Sequence, residues 1–422
     1  MNGLVYTIWL SLACTPGTST FKKLFDRFLY PTEIYFASDD DIAAVIGSKS
    51  RDYSALIDKS LDAAERIYNF CNEKNIGLLS FFEDGRYPNE LRKIKSPPVL
   101  LYYRGKLPDF NNREFISVVG TRSISEYGKK SAFSVAYDLS RAGAVIVSGM
   151  AIGVDGVALA GALAAGGQTI AVIGSGIDVC YPAQHKRLAR EIVKSGCVMT
   201  EYAPGTKPFG HNFPKRNRII SGLCSSTVVI EGREHSGSVI TARQAMEEGR
   251  TVYALPGSVG NENSEAANLL IKSGAHLFTS ADDIVRDYEA HKAGVLNPFA
   301  LKDRAIYDAN STLYELEVAC VTRSDGVFDP PRTHKKSNKP TSSEGSKSKS
   351  AEKSVESEQL TPQGFDESTF SLYKKIPIDS DCSIEQLVDE KHSLPEVMQG
   401  LLILEIAKSI IMLPGDRVKR NL

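Results

Sequence analysis

Residues 207–257 read KPFGHNFPKRNRIISGLCSSTVVIEGREHSGSVITARQAMEEGRTVYALPG. A basic, aromatic-bearing loop (Phe213, Lys215, Arg216, Arg218) leads into the apolar segment Ile219–Leu223. The run Thr227–Ile230 predicts a buried strand, broken at Glu231-Gly232. The small-residue turn Ser236-Gly237-Ser238 then opens a helix ending near Gly249, and a second strand, Thr251–Leu255, stops at Pro256-Gly257. Strand, glycine turn, helix and strand make one βαβ unit. The N–H groups freed at such a helix start bind anions. With cations just upstream, the stretch predicts a phosphate-bearing ligand at the carboxyl edge of a parallel sheet.

The same grammar runs from about Asn112 to Tyr288. Seven candidate strands, Phe115–Val119, Ala144–Ser148, Thr169–Ile173, Cys197–Glu201, Thr227–Ile230, Thr251–Leu255 and Ala275–Phe278, are mostly separated by helical patterns such as Lys129–Arg141 and Lys186–Lys194. Apolar strands alternating with helices predict an α/β domain, a parallel sheet covered on both faces. Gly120, Gly149, Gly174, Gly232 and Gly257 each follow a strand. One such glycine only caps a turn; five on one edge predict a cleft where backbone approaches a ligand closely.

Arg122 follows the first strand and forms, with the 215–218 segment, an expected phosphate clamp, because a guanidinium offers a planar fork. Lys186, Arg187 and Arg190 lie near the third crossing; one or two reach the same edge and the rest are a solvated helix face. Phe213 is either a core plug or a stacking platform. Arg218 abuts Ile219-Ile220, and a structural pair with Glu231 is its alternative to phosphate contact. Asp155, a lone carboxylate, reads as a helix cap rather than a catalyst.

Other chemistries are poorly served. Gly174-Ser175-Gly176 follows a strand, but Val179 stands where a dinucleotide fingerprint needs its third glycine. Gly128-Lys129-Lys130-Ser131 lacks the first glycine and the Ser/Thr position of a Walker A loop, so ATP hydrolysis is not expected there. The seven cysteines have no CxxC spacing, which argues for reduced thiols and against zinc or a disulfide framework. No cofactor and no metal are expected. The 422 residues carry 50 basic and 51 acidic side chains, so any nucleic-acid site is a local patch rather than a global field. With 42% hydrophobic residues and no apolar run of about 18, the chain reads as soluble and cytoplasmic, without a membrane segment. Met1–Ala13 is apolar but lacks a basic start, so a signal peptide is rejected.

Six segments are expected. Residues 1–75 form a small helical module of the SAM or helix-hairpin-helix kind, read as a packing or partner-binding unit, with presentation of backbone amides to DNA phosphates as the alternative, and 76–111 form a connecting segment. Residues 112–288 form the core, and 289–326 an extension of uncertain order. Residues 327–365 are Ser/Lys-rich and too poor in apolar surface to fold, hence a disordered linker with a basic first half. Residues 366–422 give three helices and a hairpin around Pro414-Gly415, a winged-helix pattern. Its recognition-helix segment is acidic (Glu396, Glu405) and only its wing is basic (Arg417, Lys419, Arg420), which favours a protein-interaction or regulatory module.

Six motifs together resemble one family, the DNA-processing protein A (DprA/Smf) family. They are VGTR with YG (119–122, 127–128), SGMAIGVDGVALAGAL (148–163), AVIGSGIDVCYP (171–182), FPKRNRIISGL (213–223), SGSVITARQAMEEGRTVYALPG (236–257) and SEAANLLIKSGA (264–275). The resemblance implies an extended Rossmann-like domain binding single-stranded DNA. It further implies a homodimer that protects incoming DNA in natural transformation and loads the RecA recombinase, with no catalytic role. By motif, the implied contacts are Arg122, Gly149, Phe213, Lys215, Arg216, Asn217, Arg218, Ser238 and Arg243, to which the residue reading adds Lys186. The chain has Ile152, Leu159 and Ala266 where the family commonly has Arg, His and Gly, an expected loss of polarity on one side of the cleft. Two rivals remain: a Rossmann-like enzyme cleaving nucleoside monophosphates, for which Glu231 is the nearby carboxylate, and a regulator binding DNA through the C-terminal domain. On the main reading, binding needs neither ATP nor Mg²⁺, and Arg122→Ala or Arg216→Ala weakens it while leaving folding nearly unaffected.

Overall fold

A computed structural model describes residues 3–83, 85–234, 236–292 and 294–301, then 367–377, 382–389, 410–413 and 417–420, with single positions 397, 401 and 404. The expected linker, residues 302–326 of the expected extension and most of the expected recognition helix lie outside the described residues. The chain divides into two units, 1–332 and 333–422.

The first unit is built on a nine-stranded sheet: β1 (Gly77–Ser80), β2 (Leu100–Gly105), β3 (Phe115–Val119), β4 (Val145–Ser148), β5 (Thr169–Val172), β6 (Cys197–Thr200), β7 (Ser226–Val229), β8 (Thr251–Ala254) and β9 (His276–Leu277). Their order is β1-β2-β6-β5-β4-β3-β7-β8-β9. The seven strands expected from sequence are the seven parallel ones. β3 to β8 lack polar alternation because both faces are covered; β4, β5 and β6 are buried at every position, whereas the edge strand β9 is exposed. The expected connecting segment also enters this sheet: β2 pairs antiparallel with β6, Tyr102 opposite Thr200, and β1 pairs with β2.

The helices of this unit are α1 (Gly3–Ala13), α2 (Thr20–Arg27), α3 (Pro31–Phe36), α4 (Asp39–Ile46), α5 (Tyr53–Ile57), α6 (Asp62–Glu73), α7 (Asn89–Arg92), α8 (Glu126–Arg141), α9 (Val154–Ala164), α10 (Lys186–Ser195), α11 (Asn212–Leu223), α12 (Gly237–Glu247), α13 (Glu265–Lys272) and α14 (Ala281–His291). One core layer joins Ile116, Val118 and Ile146 to Phe133 and Leu139 of α8 and Ile284 of α14. The other joins Phe115, Val119 and Val147 to Ile219 of α11, Ala242 of α12 and the N-terminal helices. The side chains of β3 thus point alternately into the two layers. From β3 the chain steps outward to β6, then returns to place β7 on the other side of β3. That reversal opens a crevice beyond the carboxyl ends of β3 and β7. Inside the sheet the two strands are tied by Ser117 Oγ, which donates to Thr227 Oγ1 at 2.8 Å.

In the second unit, β10 (Cys382–Ser383), β11 (Ile410–Leu413) and β12 (Arg417–Arg420) form an antiparallel sheet in the order β10-β12-β11. The β11–β12 pairing brackets Pro414-Gly415, as the hairpin reading required. Helix Glu367–Lys375 buries Leu372 in a core with Ile376, Leu401 and Val418. Arg420 donates from Nε to Ile376 O at 2.7 Å and lies 4.5 Å from the Tyr373 ring, so this wing cation is tied to its own unit.

Candidate nucleic-acid interface

The segment read as a basic loop is the first half of helix α11, and this changes what its cations do. Asn212, Arg216, Ile219, Ile220 and Leu223 share the buried face, whereas Pro214 is exposed and Lys215 and Asn217 half-buried. These spacings of three and four are those of one helix stripe. Arg216 is only 3% exposed. Its Nη1 donates to Gly149 O at 2.7 Å, at the end of β4, and also to Val172 O, the last residue of β5. Arg216 is therefore a peg joining α11 to two strand ends, and the expectation that its removal leaves folding nearly unaffected is corrected. Burial pushes its pKa down to about 10, which leaves it charged at neutral pH, and attraction to Asp155 opposes the shift. Burial in turn pushes the Asp155 carboxyl up, against the pull of Arg216. Asp155 accepts from Ala151 N at 3.4 Å, ahead of α9, so it braces the turn before that helix, and the cap reading is corrected.

Gly149 has its reason here. A Cβ built on it would lie 2.5 Å from Asp155 Oδ2 and 2.6 Å from Arg216 Nη2, so only a bare backbone fits between them. Gly174 admits the next side chain along: a Cβ there would lie 3.0 Å from Phe213 Cδ1. The Phe213 ring is half-buried, between a plug and an open platform. The exposed Arg122 guanidinium stands 5.5 Å from its centroid, the Arg216 guanidinium 5.9 Å and the Tyr181 ring 5.5 Å. Arg122, Gly149, Ile152, Gly174, Tyr181 and Phe213 line a shallow cleft of about 40 Å³. The structure thus brings Arg122, Phe213 and Arg216 together at one sheet edge, with Arg216 buried beneath and spent on strand-end carbonyls.

The helix start of the opening stretch joins this cluster through α11. Asn217 accepts from Arg216 Nε at 3.2 Å and donates to Gly237 O, the first residue of α12, at 3.3 Å. There Ser238 is buried and its hydroxyl meets that of Ser236 at 2.7 Å. Arg243 is exposed further along α12. Lys186 opens α10, where His185 Nδ1 lies 2.9 Å from Met150 O and holds that helix start beside Gly149. Arg218 points elsewhere. It is 6% exposed, pairs with Glu201 and donates to Ser96 O; the expected partner Glu231 is replaced by Glu201.

Glu231 is itself consumed at the start of α8. It accepts from Ser125 N at 2.9 Å and from the Ser125 hydroxyl, and that hydroxyl caps Gly128 N at 3.0 Å. This is a carboxylate stabilising a helix start rather than one poised for proton transfer. The departures from the family pattern also sort themselves by position. Ile152 is exposed at the cleft, but Leu159 is fully buried within α9, so Leu159 removes no polarity from the cleft. Ala266 is buried as well, donating from its N–H to Gly232 O at 2.9 Å.

Residue reading passed over Tyr181, Phe209 and His211. Tyr181 is 42% exposed beside Phe213; Phe209 is 51% exposed and stacks on His211 with centroids 5.7 Å apart. The available signal was ring-bearing residues in the two connections that follow β5 and β6, at the sheet edge where an anion is expected. Among the described residues no cluster of His, Cys, Asp and Glu is arranged to hold a metal ion, and no helix is long and apolar enough to cross a membrane.

A Rossmann-like sheet whose carboxyl edge collects arginine, aromatic rings and a helix start defines the class of protein. The chain belongs to the DNA recombination-mediator protein A family, whose model matches residues 78–289, from β1 to α14. It is similar to DNA processing protein DprA of Streptococcus pneumoniae, with 46% identity over 206 residues, 49% of this chain and 72% of that one. DprA of Bacillus subtilis is 39% identical over 214 residues, 51% and 72% of the two chains. The X-ray structure of DNA processing protein A from Streptococcus pneumoniae superposes with a TM-score of 0.58 at 36% identity, covering 68% of this chain and 98% of that one.

Proposed function

We propose that this chain is a recombination mediator that grips single-stranded DNA at the Arg122–Phe213 cleft, shields strands entering the cell in natural transformation, and delivers them to the RecA recombinase as a homodimer. Family membership supports the mediator role, and the resemblance implies the recombinase and the dimer. One observation carries the DNA reading: an exposed guanidinium and a half-open aromatic ring 5.5 Å apart, at a glycine-lined sheet edge. A guanidinium takes a backbone phosphate, while a ring with one open face takes an unpaired base. A duplex keeps its bases stacked inside and offers nothing to the ring. Both contacts tolerate any sequence.

The test is a titration of the full chain with labelled single-stranded and blunt duplex DNA of equal length, with and without ATP and Mg²⁺. Tighter binding to the single strand, unchanged by nucleotide or metal, is expected. Equal or tighter binding to the duplex overturns the reading. For the downstream steps, RecA filament assembly on a protein-coated strand should speed up when this chain is added, and sedimentation should give twice the chain mass.

A further inference from the structure

We propose that the N-terminal helices carry a second, sequence-independent phosphate track, which takes up a single strand as it leaves the cleft past Lys215. The inference rests on the single-strand reading above and adds a site to it. It starts from the turn between α1 and α2. Gly17 there has φ +80°, a conformation that suits glycine, and a Cβ built on it would lie 3.5 Å from Lys215 Cγ and 3.6 Å from Arg218 Nε. The turn therefore rests directly on the helix that carries Phe213. Arg218 secures this junction from below through Glu201 and Ser96 O.

A second loop is tied to the same turn. Asp52, 3% exposed, accepts from the Thr15 hydroxyl and, at 3.4 Å, from the Thr18 hydroxyl. This ties the loop that ends at Asp52 to the Gly17 turn, and Lys49 and Arg51 are exposed in that loop. Lys22 and Lys23 are exposed near the start of α2, just after the turn. None of Lys22, Lys23, Lys49, Arg51 and Lys215 has an ion-pair partner among the described residues. Asp39, Asp40 and Asp41 begin α4, at the opposite end of that helix from Gly47. Asp26 lies three and four residues after Lys23 and Lys22 on α2 and offsets part of their charge, whereas the Asp52 carboxylate is buried and taken up by the Thr15 and Thr18 hydroxyls.

The module's exposed apolar side chains Leu29, Tyr30 and Phe36 lie past the end of α2 and on α3, whereas the unpaired cations grouped around the fixed turn, next to a half-exposed lysine of the cleft helix, suit a polyanion. With no aromatic platform among them, they take phosphates and leave the bases unread. The first few nucleotides thus sit on the cleft, and only a longer strand reaches the module.

The experiment compares oligonucleotides of about 6 and about 16 nucleotides, the span of single-strand site sizes for small binding folds. Both are titrated against salt with the full chain and with its K22A/K23A/K49A/R51A variant. The variant is expected to bind the short strand like the parent. For the longer strand its log–log salt slope should fall by about 2 to 3, at about 0.7 for each phosphate no longer neutralised. A K22R/K23R variant, which keeps the charge, should retain the parent slope. Identical slopes for parent and quadruple variant on the longer strand overturn the track. Equal losses on both lengths by a variant with unchanged circular dichroism also overturn it, because the cations then belong to the cleft. If the parent binds neither strand, the cleft reading falls as well, so the two failures are distinguishable.

Discussion

Two arginines of one motif set have opposite fates. Arg122 is exposed and lies against the Phe213 ring, so Arg122→Ala should leave the melting temperature nearly unchanged. Strand binding should weaken by roughly 1–3 kcal/mol, the scale of a charge-assisted hydrogen bond. The salt slope should flatten by about 0.7. Phe213→Ala should cost a similar roughly 1–3 kcal/mol per stacked base but leave the slope alone, because no counterion is involved. Arg216→Ala should instead lower stability by roughly 3–5 kcal/mol, read in a thermal or urea melt, because Asp155, Gly149 O and Val172 O lose a buried cationic partner. An Arg216→Ala protein as stable as the parent would remove the peg. The distinction was partly legible in the sequence: Arg216 precedes Ile219, Ile220 and Leu223 at spacings of three, four and seven, the stripe of a buried helix face. Reading 213–218 as a loop, on account of its Pro214 and its charges, hid that stripe. Pro214 is compatible with a helix there because it lies in the first turn, where N–H groups have no intrahelical partner.

The parallel strands were legible because buried strands are short apolar runs ending in glycine, and no polar alternation competes with that signal. Their order was not, since it depends on which side of β3 the returning chain takes. The partner of Glu231 was equally hidden, because Ser125 lies far from it in sequence and the two meet only when β3 and β7 are neighbours. This junction gives a prediction about α8. Ser125→Ala removes the hydroxyl that caps Gly128 N and one donor to the buried Glu231 carboxylate. A lost cap alone costs about 1 kcal/mol, and an under-satisfied buried carboxylate adds about 1–3 kcal/mol. A urea melt showing no change at neutral pH would mean that α8 starts without help from β7.

At the scale of the molecule, the boundary of the folding unit is the point where sequence reading and structure part. The segment 76–111 contains recognisable strands, yet nothing local says that β2 pairs antiparallel with β6 across an intervening run of residues. That pairing makes 76–111 part of the sheet, and other contacts bind it to the core: Arg250 pairs with Glu90, Arg218 reaches Ser96 O, and a Cβ on Gly222 would lie 2.7 Å from Ile94 Cγ2. A fragment starting at residue 112 would strip β6 of its neighbour and expose a strand whose four residues are all buried in the intact chain. A bare apolar edge invites pairing with other chains. The 112–301 fragment is therefore expected to aggregate in light scattering, while 1–301 stays in solution and gives a cooperative melt. Fragment 1–301 should also keep the full chain's affinity for a single strand, because Arg122, Phe213 and Lys215 all lie within it. A large loss of affinity in 1–301, with the fold retained, would move the principal DNA contact to the basic stretch after residue 331 or to the wing cations Arg417 and Lys419, and the cleft would then serve another ligand.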